Sequence, residues 1–364
     1  MTATRVIFES STAAPFVAVL RERVAEYFRA RHLSDKANAV MVARTVSMLT
    51  LTLVPYLLIL FGGLPKLAML GLAVVMGVGL AGIGFGVSHD ALHGAYSKSP
   101  LVNRLIGYTF DLCGANGYMW RITHNVIHHT YTNIHGIDED LEVSPLLRLS
   151  PRAEYHWYHR FQPLYAFLLY SFSTLFWVFV KDYKYFLQRD LGPYKNHRPS
   201  TSEVVTLLVG KALYYSWAIV VPLLVLPLPW WQVAIGFVAM NLTGGLILGV
   251  VFQLAHVVED TAHPLPAVDG SMGDVWVAHE LATTANFANG NPLITWYVGG
   301  LNHQIEYHLF PKVCSEHYPA LAPIVREVTK EYGLPYHHQP TLFSAIRSHF
   351  RTLQRNALRP LATA

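Results

Sequence analysis

The chain has 364 residues, of which 52% are hydrophobic and only 14% charged, and its mean hydropathy is +0.29. That balance excludes an ordinary soluble domain, and a formal charge of +4 leaves no nucleic-acid footprint. The two cysteines, Cys113 and Cys314, are far apart and offer neither a disulfide framework nor a thiolate metal site.

The N-terminal stretch carries no secretory leader pattern: the apolar run from Ala13 to Leu20 is short and lacks a basic segment before it. Arg21, Arg23, Arg29, Arg31, Lys36 and Arg44 then precede residues 45–65, which contain no Asp, Glu, Lys or Arg. A span needs about 20 apolar residues, so this run predicts a first crossing, with the basic flank placing the N-terminus in the cytoplasm. Residues 67–88 are likewise uncharged and predict a second crossing that returns inward and ends at His89. Within it, Gly77-Val78-Gly79-Leu80-Ala81-Gly82 matches a dinucleotide fingerprint, but no strand precedes it. Small residues inside a span instead let helices pack closely. Polar sequence follows to about Arg160, and then the uncharged run 161–180, flanked by Arg160 and Lys181. If that run crossed, His256 would lie on the opposite side of the membrane from the other histidine clusters, so it is expected to lie in the interface. Residues 212–255 are long enough for two crossings, with the turn at Pro227-Leu228-Pro229 beside Trp230-Trp231. The expected architecture is an all-α integral membrane protein: four transmembrane helices, a cytosolic histidine-rich catalytic cap and an interfacial helix. Residues 1–40 form a cytosolic N-terminal segment, 41–335 the membrane catalytic domain and 336–364 a C-terminal tail.

The chain has 19 histidines, and their placement matters more than their number. His89 and His93 stand four apart, a spacing that puts both rings on one helix face. His124, His128 and His129 repeat that spacing and add an adjacent ring; His256 closes the last span; His303 and His308 follow near the C-terminus. No HExxH occurs, which removes the zinc-peptidase reading, and no Glu-x-x-His, which removes the carboxylate-bridged di-iron bundle. So many imidazoles exceed one tetrahedral zinc and point to two metals. Ligand type alone admits iron, copper, nickel or zinc. A metal transporter is the rival reading, but transport sites sit near the bilayer midplane. The spans here hold no histidine or acid in their interiors, only Lys211 near one end.

From about Val87 to Glu331 the sequence resembles the membrane fatty-acid desaturases, specifically the front-end desaturases and their bacterial linoleoyl-CoA-desaturase-like relatives. The motifs that carry the resemblance are SHDALHGAYS, WRITHNVIHHTYTN, HGIDEDLE, FQLAHVVE, TTANFA and GGLNHQIEYHLFP. It implies two iron ions, O2 as oxidant, a fatty-acyl substrate carried by CoA, acyl-carrier protein or lipid, and an active site on the cytoplasmic side of a bacterial cytoplasmic membrane. Carried over by motif position, the metal ligands are His89, His93, His124, His128, His129, His256 and His308. The haem motif HPGG of relatives with a fused cytochrome b5 is absent, only His263-Pro264-Leu265-Pro266 occurring, so electrons are expected from a separate ferredoxin or cytochrome b5. The third box departs from the family's QIEHH: Tyr307 stands where a histidine is expected. Three readings stand open: His303 replaces the ligand, Tyr307 ligates or holds a metal-bound water, or one iron is a ligand short. An altered iron environment admits hydroxylation or halogenation as the alternative to desaturation. Asp90, Asn125, Asp140 and Gln304 are candidates for orienting the imidazoles, and Trp120 and Asn286 for lining a substrate tunnel. The role of His279 is open, and His337 and His338 are expected at the surface.

Overall fold

The computed structural model describes residues 6–10, 14–141 and 144–359. Ala13 and Glu142, which belong to stretches singled out above, lie outside the described residues. Helix α1 (Pro15–Ala30) leads into α2 (Ala39–Phe61), whose first turn is capped by Asn38 accepting from the Met41 N–H at 3.0 Å. A turn through Gly63, at φ +58°, reverses the chain into α3 (Lys66–Leu92). The second hairpin is α8 (Thr201–Val225) and α9 (Trp230–His256); between the hairpins lie α4 (Pro100–Leu112), α5 (residues 117–131), α6 (Trp157–Ser171) and α7 (Ser173–Leu187). After α9 come α10 (Trp276–Thr283), α11 (Gln304–Leu309), α12 (Tyr318–Glu331) and α13 (Leu342–Asn356).

Helices α2, α3, α8 and α9 are long and apolar enough to cross a membrane. The span α8 begins earlier than the uncharged run 212–255 suggests, because Glu203 and Lys211 lie within its first half. Lys211 is buried and paired with Asp182 on α7 at 2.8 Å, which lets a cation sit in an otherwise apolar helix. The uncharged run 161–180 forms an elbow rather than one straight interfacial helix: α6 and α7 meet at 58°, and neither arm alone reaches a span's length. The elbow packs on α9, with the Ser173 and Thr174 hydroxyls donating to the carbonyls of Gly245 and Asn241. Topology decides against a fifth crossing. The rings at the ends of α3 and α9 meet in one cluster, and the α8–α9 hairpin leaves and returns on one face. The segment between α3 and α8 therefore also begins and ends on that face.

The glycine motif in α3 is a packing surface. A Cβ on Gly77 would stand 2.4 Å from the Met240 carbonyl on α9, and one on Gly82 would stand 2.3 Å from the sulfur of Met48 on α2. Helix α3 is thus clamped between its neighbours, and the histidines at its end are held accordingly. Beyond the spans, two short parallel strand pairs tie distant segments together: Ile7–Glu9 with Ser271–Val275, and Ala285–Phe287 with His337–Gln339. His337 and His338 are therefore half-buried strand residues beside Asn286 rather than free surface groups. Gly77→Val is expected to destabilise the purified protein by about 1–3 kcal/mol through overpacking, read as a lower thermal midpoint. Gly71→Ala, which meets open space, is expected to leave the midpoint unchanged.

Candidate metal centre

The helix irregularities coincide with the histidine boxes. Residues Gly84–Ser88 of α3 and Arg121–His128 of α5 are wound as π-helix, with i→i+5 hydrogen bonds such as His129 N–H to the His124 carbonyl. The first box returns to α-winding at His89, so His89 and His93 share a face as their spacing predicts. In the second box the wider π-turn changes the partnership. His124 and His129, five apart, face one group, and His128 faces the other. The i, i+4 reading of His124 with His128 fails there for that reason, although their rings stack at 5.0 Å.

The first group is built around one atom. The Nε2 atoms of His89, His93, His124 and His129 lie 2.8, 2.8, 2.6 and 2.5 Å from the Tyr307 hydroxyl. The second group joins His128, His256 and His308, whose ligand atoms lie within 4.8 Å of one another. All three of these Nε2 atoms are buried without a hydrogen-bond partner. Buried polar atoms are nearly always paired, so three unpaired nitrogens converging on one point fit a metal ion.

Each ring of that second group is aimed through its other nitrogen. His128 Nδ1 donates to Asp138 at 3.0 Å, His308 Nδ1 to Glu280 at 2.7 Å and His256 Nδ1 to the Thr283 carbonyl at 3.3 Å. Fixing the proton on Nδ1 leaves the Nε2 lone pair for a metal. In the first group, His124 Nδ1 donates to Asp140 at 2.8 Å, and Asp140 also accepts from Lys181 at 3.1 Å. Burial alone would raise the Asp140 carboxyl, but Lys181 and His124 outweigh it and hold it well below the usual carboxylate range. Burial pushes His124 down to about 3 and His129 and His308 well below their ordinary value. These imidazoles are neutral at physiological pH, as ligation requires. His128 is the exception: burial pulls it down, yet Asp138 raises it above its ordinary value.

Of the expected orienting residues, Asp140 contacts a ring nitrogen of His124. Asp90 accepts from the Ser315 backbone and hydroxyl through one oxygen, at 3.0 and 2.9 Å, while its other oxygen lies 3.7 Å from His89 Nδ1. With buried Arg44, which pairs with Glu316, it anchors the loop that follows the third box. Asn125 donates to the Leu92 carbonyl, tying the second box to the first. Gln304 is buried at the start of α11. Trp120 does border the site: its ring stacks on His124 at 4.4 Å and lies 5.4 Å from His89. Asn286 is fully buried, its amide donating to Glu306 and Tyr336 and accepting from the Ile305 N–H. His303 joins neither group; its Nδ1 lies 2.8 Å from Asn289.

Asp138, Glu280 and Asn133 escaped the sequence reading. Asn133, at φ +61°, lies 2.8 Å from the His256 carbonyl and 3.1 Å from that of Ala262, joining the second box to the end of α9. Two buried carboxylates placed between histidine boxes were the available signal, since buried ligand rings need acceptors. His279 is also structural, its Nε2 lying 2.9 Å from the Thr132 carbonyl.

Apolar spans that end in two buried imidazole clusters, with carboxylates behind them, define a histidine-rich metalloenzyme built at a membrane. The sequence profile described as fatty acid desaturase matches residues 65–340, and the chain belongs to that family. It is 36% identical to the sn-1 linoleoyl-lipid 6-desaturase of Arthrospira platensis over 360 residues, which cover 99% of this chain and 96% of that protein. The Synechocystis sp. protein of the same name is 36% identical over 359 residues, 97% of this chain and 98% of its own length. The acyl-lipid (8-3)-desaturase of Physcomitrium patens is 34% identical over 345 residues, 94% of this chain and 72% of that protein. The chain is a membrane fatty-acyl desaturase-like enzyme. Glu280→Gln is expected to weaken metal retention about 10–100-fold, measured by chelator competition. Glu259→Gln, whose partners are the exposed Arg351 and Arg355, should retain metal as the parent does; equal retention in both variants would contradict the orienting role.

Proposed function

We propose that this protein introduces a double bond into the acyl chain of a lipid, using two irons, O2 and electrons from a separate carrier protein. The observation that carries the reading is the pair of imidazole clusters at the shared end of α3 and α9, where an acyl chain can be reached from the bilayer. Iron bound there supplies the activation of O2 that strips two hydrogens from neighbouring carbons. The balance is –CH2–CH2– + O2 + two electrons + two protons giving –CH=CH– + two waters, the electrons coming from a ferredoxin or cytochrome b5.

The chain's own residues supply position and dryness. Asp138, Glu280 and Asp140 hold the proton of each ring they contact on Nδ1. His128 and His308 are fully buried and His256 nearly so, which keeps bulk water from a reactive carbon. Trp120 presents an apolar wall over the first group. The names of the relatives favour an acyl lipid over a CoA or carrier-protein substrate, and desaturation over hydroxylation or halogenation. The basic N-terminal flank favours placing this end of the spans on the cytoplasmic side, in a bacterial cytoplasmic membrane.

Expression in a host that lacks the activity, followed by mass spectrometry of its fatty acids, tests the proposal. A new acyl species lighter by two hydrogens, lost in His308→Ala, is the expected result. A hydroxylated or halogenated product without the alkene would overturn it.

A further inference from the structure

The first imidazole group poses a problem of hydrogen-bond capacity. A phenol hydroxyl donates one hydrogen bond and accepts two, yet four imidazole nitrogens stand within 2.8 Å of the Tyr307 oxygen. At least one of them has no hydrogen bond to make there. His124 Nδ1 donates to Asp140, which also accepts from Lys181, so the His124 Nε2 lone pair faces the phenol. Four nitrogens around an oxygen that can bond three of them leave a surplus that a cation bound among them would use.

The chain also shows which position Tyr307 occupies. Two pairs of adjacent residues fork between the groups. His128 and His129 separate, His128 to the second group and His129 to the first. On α11, His308 goes to the second group and Tyr307 to the first. The Tyr307 oxygen lies among the nitrogens of the first group and His308 groups with His128 and His256, while the His129 ring adjoins both, 4.7 Å from Tyr307 and 4.4 Å from His308. Tyr307 therefore stands in the first group where His308 stands in the second. It is 2% exposed and packed at 6.2 Å against Tyr318.

We infer that Tyr307 is a metal ligand, completing the first site as a phenolate beside the imidazoles of His89, His93, His124 and His129. This rests on the reading of both clusters as metal sites. Binding forms a metal–oxygen bond in place of the phenol O–H, and the proton leaves to solvent, as metal binding to protonated ligands requires. The four imidazole nitrogens and the phenolate oxygen would together hold the cation. One anionic ligand lowers the charge of this site relative to the all-imidazole second site, so the two metals are inequivalent. His303 is left with Asn289 and is not a ligand.

The test is optical and compositional, and does not depend on turnover. Full-length protein in detergent is loaded with ferrous iron, oxidised and examined by visible absorption and resonance Raman spectroscopy with iron analysis. The expected result is two irons per chain and a phenolate-to-iron charge-transfer band in the visible. That band should be lost in Tyr307→Phe and in Tyr307→His, the latter retaining two irons. If the Phe variant does not fold, the His variant, which restores an imidazole, carries the comparison. Two irons without the band in the parent protein would overturn ligation by Tyr307. One iron in the parent rising to two in Tyr307→His would also overturn it, and would show that the tyrosine blocks the site. No iron in either protein would overturn the reading of the clusters as metal sites as well.

Discussion

A buried imidazole is aimed at a metal when its second nitrogen is held by an acceptor that keeps the proton there. Four of the rings in this structure, those of His124, His128, His256 and His308, are held in that way, and much of the fold around them serves it. Seven imidazoles are gathered at one end of the span bundle, and burial favours the neutral form of His93, His124, His129 and His308. Neutrality frees a lone pair but does not aim it. Aim comes from Asp138, Glu280 and Asp140, each buried or nearly so, and each needing compensation of its own. Asp140 finds it in Lys181, Asp138 in the Asn133 backbone N–H and Glu280 beside the Thr132 hydroxyl. A removed acceptor would leave a ring free to rotate and a buried polar atom unpaired.

The spans make that arrangement rigid. Glycines in α3 bring its backbone against α2 and α9, so the first box and His256 enter the site from neighbouring, tightly packed helices. The π-turns before His89 and through His124 set the rotation of the rings about their helix axes. One added residue per turn is enough to send His128 and His129 to different groups. Two short strand pairs and the anchor formed by Arg44, Asp90 and the Ser315–Glu316 segment hold the third box against the other two.

Much of this was legible in the sequence, and the reasons for the exceptions are specific. The uncharged runs located the spans because lipid tolerates few charges, and they failed at the start of α8, where Lys211 is buried against Asp182. The elbow of α6 and α7 looked continuous because a 58° change of direction at Ser171–Ser173 leaves no charge or proline as a mark. The clustered histidines were readable from spacing and motif. Their partners were harder to see, because residues adjacent in sequence project in other directions. Asn125 stands beside His124 yet bonds the Leu92 carbonyl, whereas Glu280 reaches His308 from a different helix. Tyr307 was visible as a departure, but only the fold shows that its oxygen sits amid four imidazole nitrogens.

The central claim is that two separate metal positions exist, one within each imidazole group. Anomalous diffraction from crystals of the iron-loaded protein, collected on both sides of the iron absorption edge, tests it most directly. The account predicts two iron peaks, one enclosed by His128, His256 and His308 and the other by His89, His93, His124 and His129. A map with no peak within the His128, His256 and His308 group would contradict it.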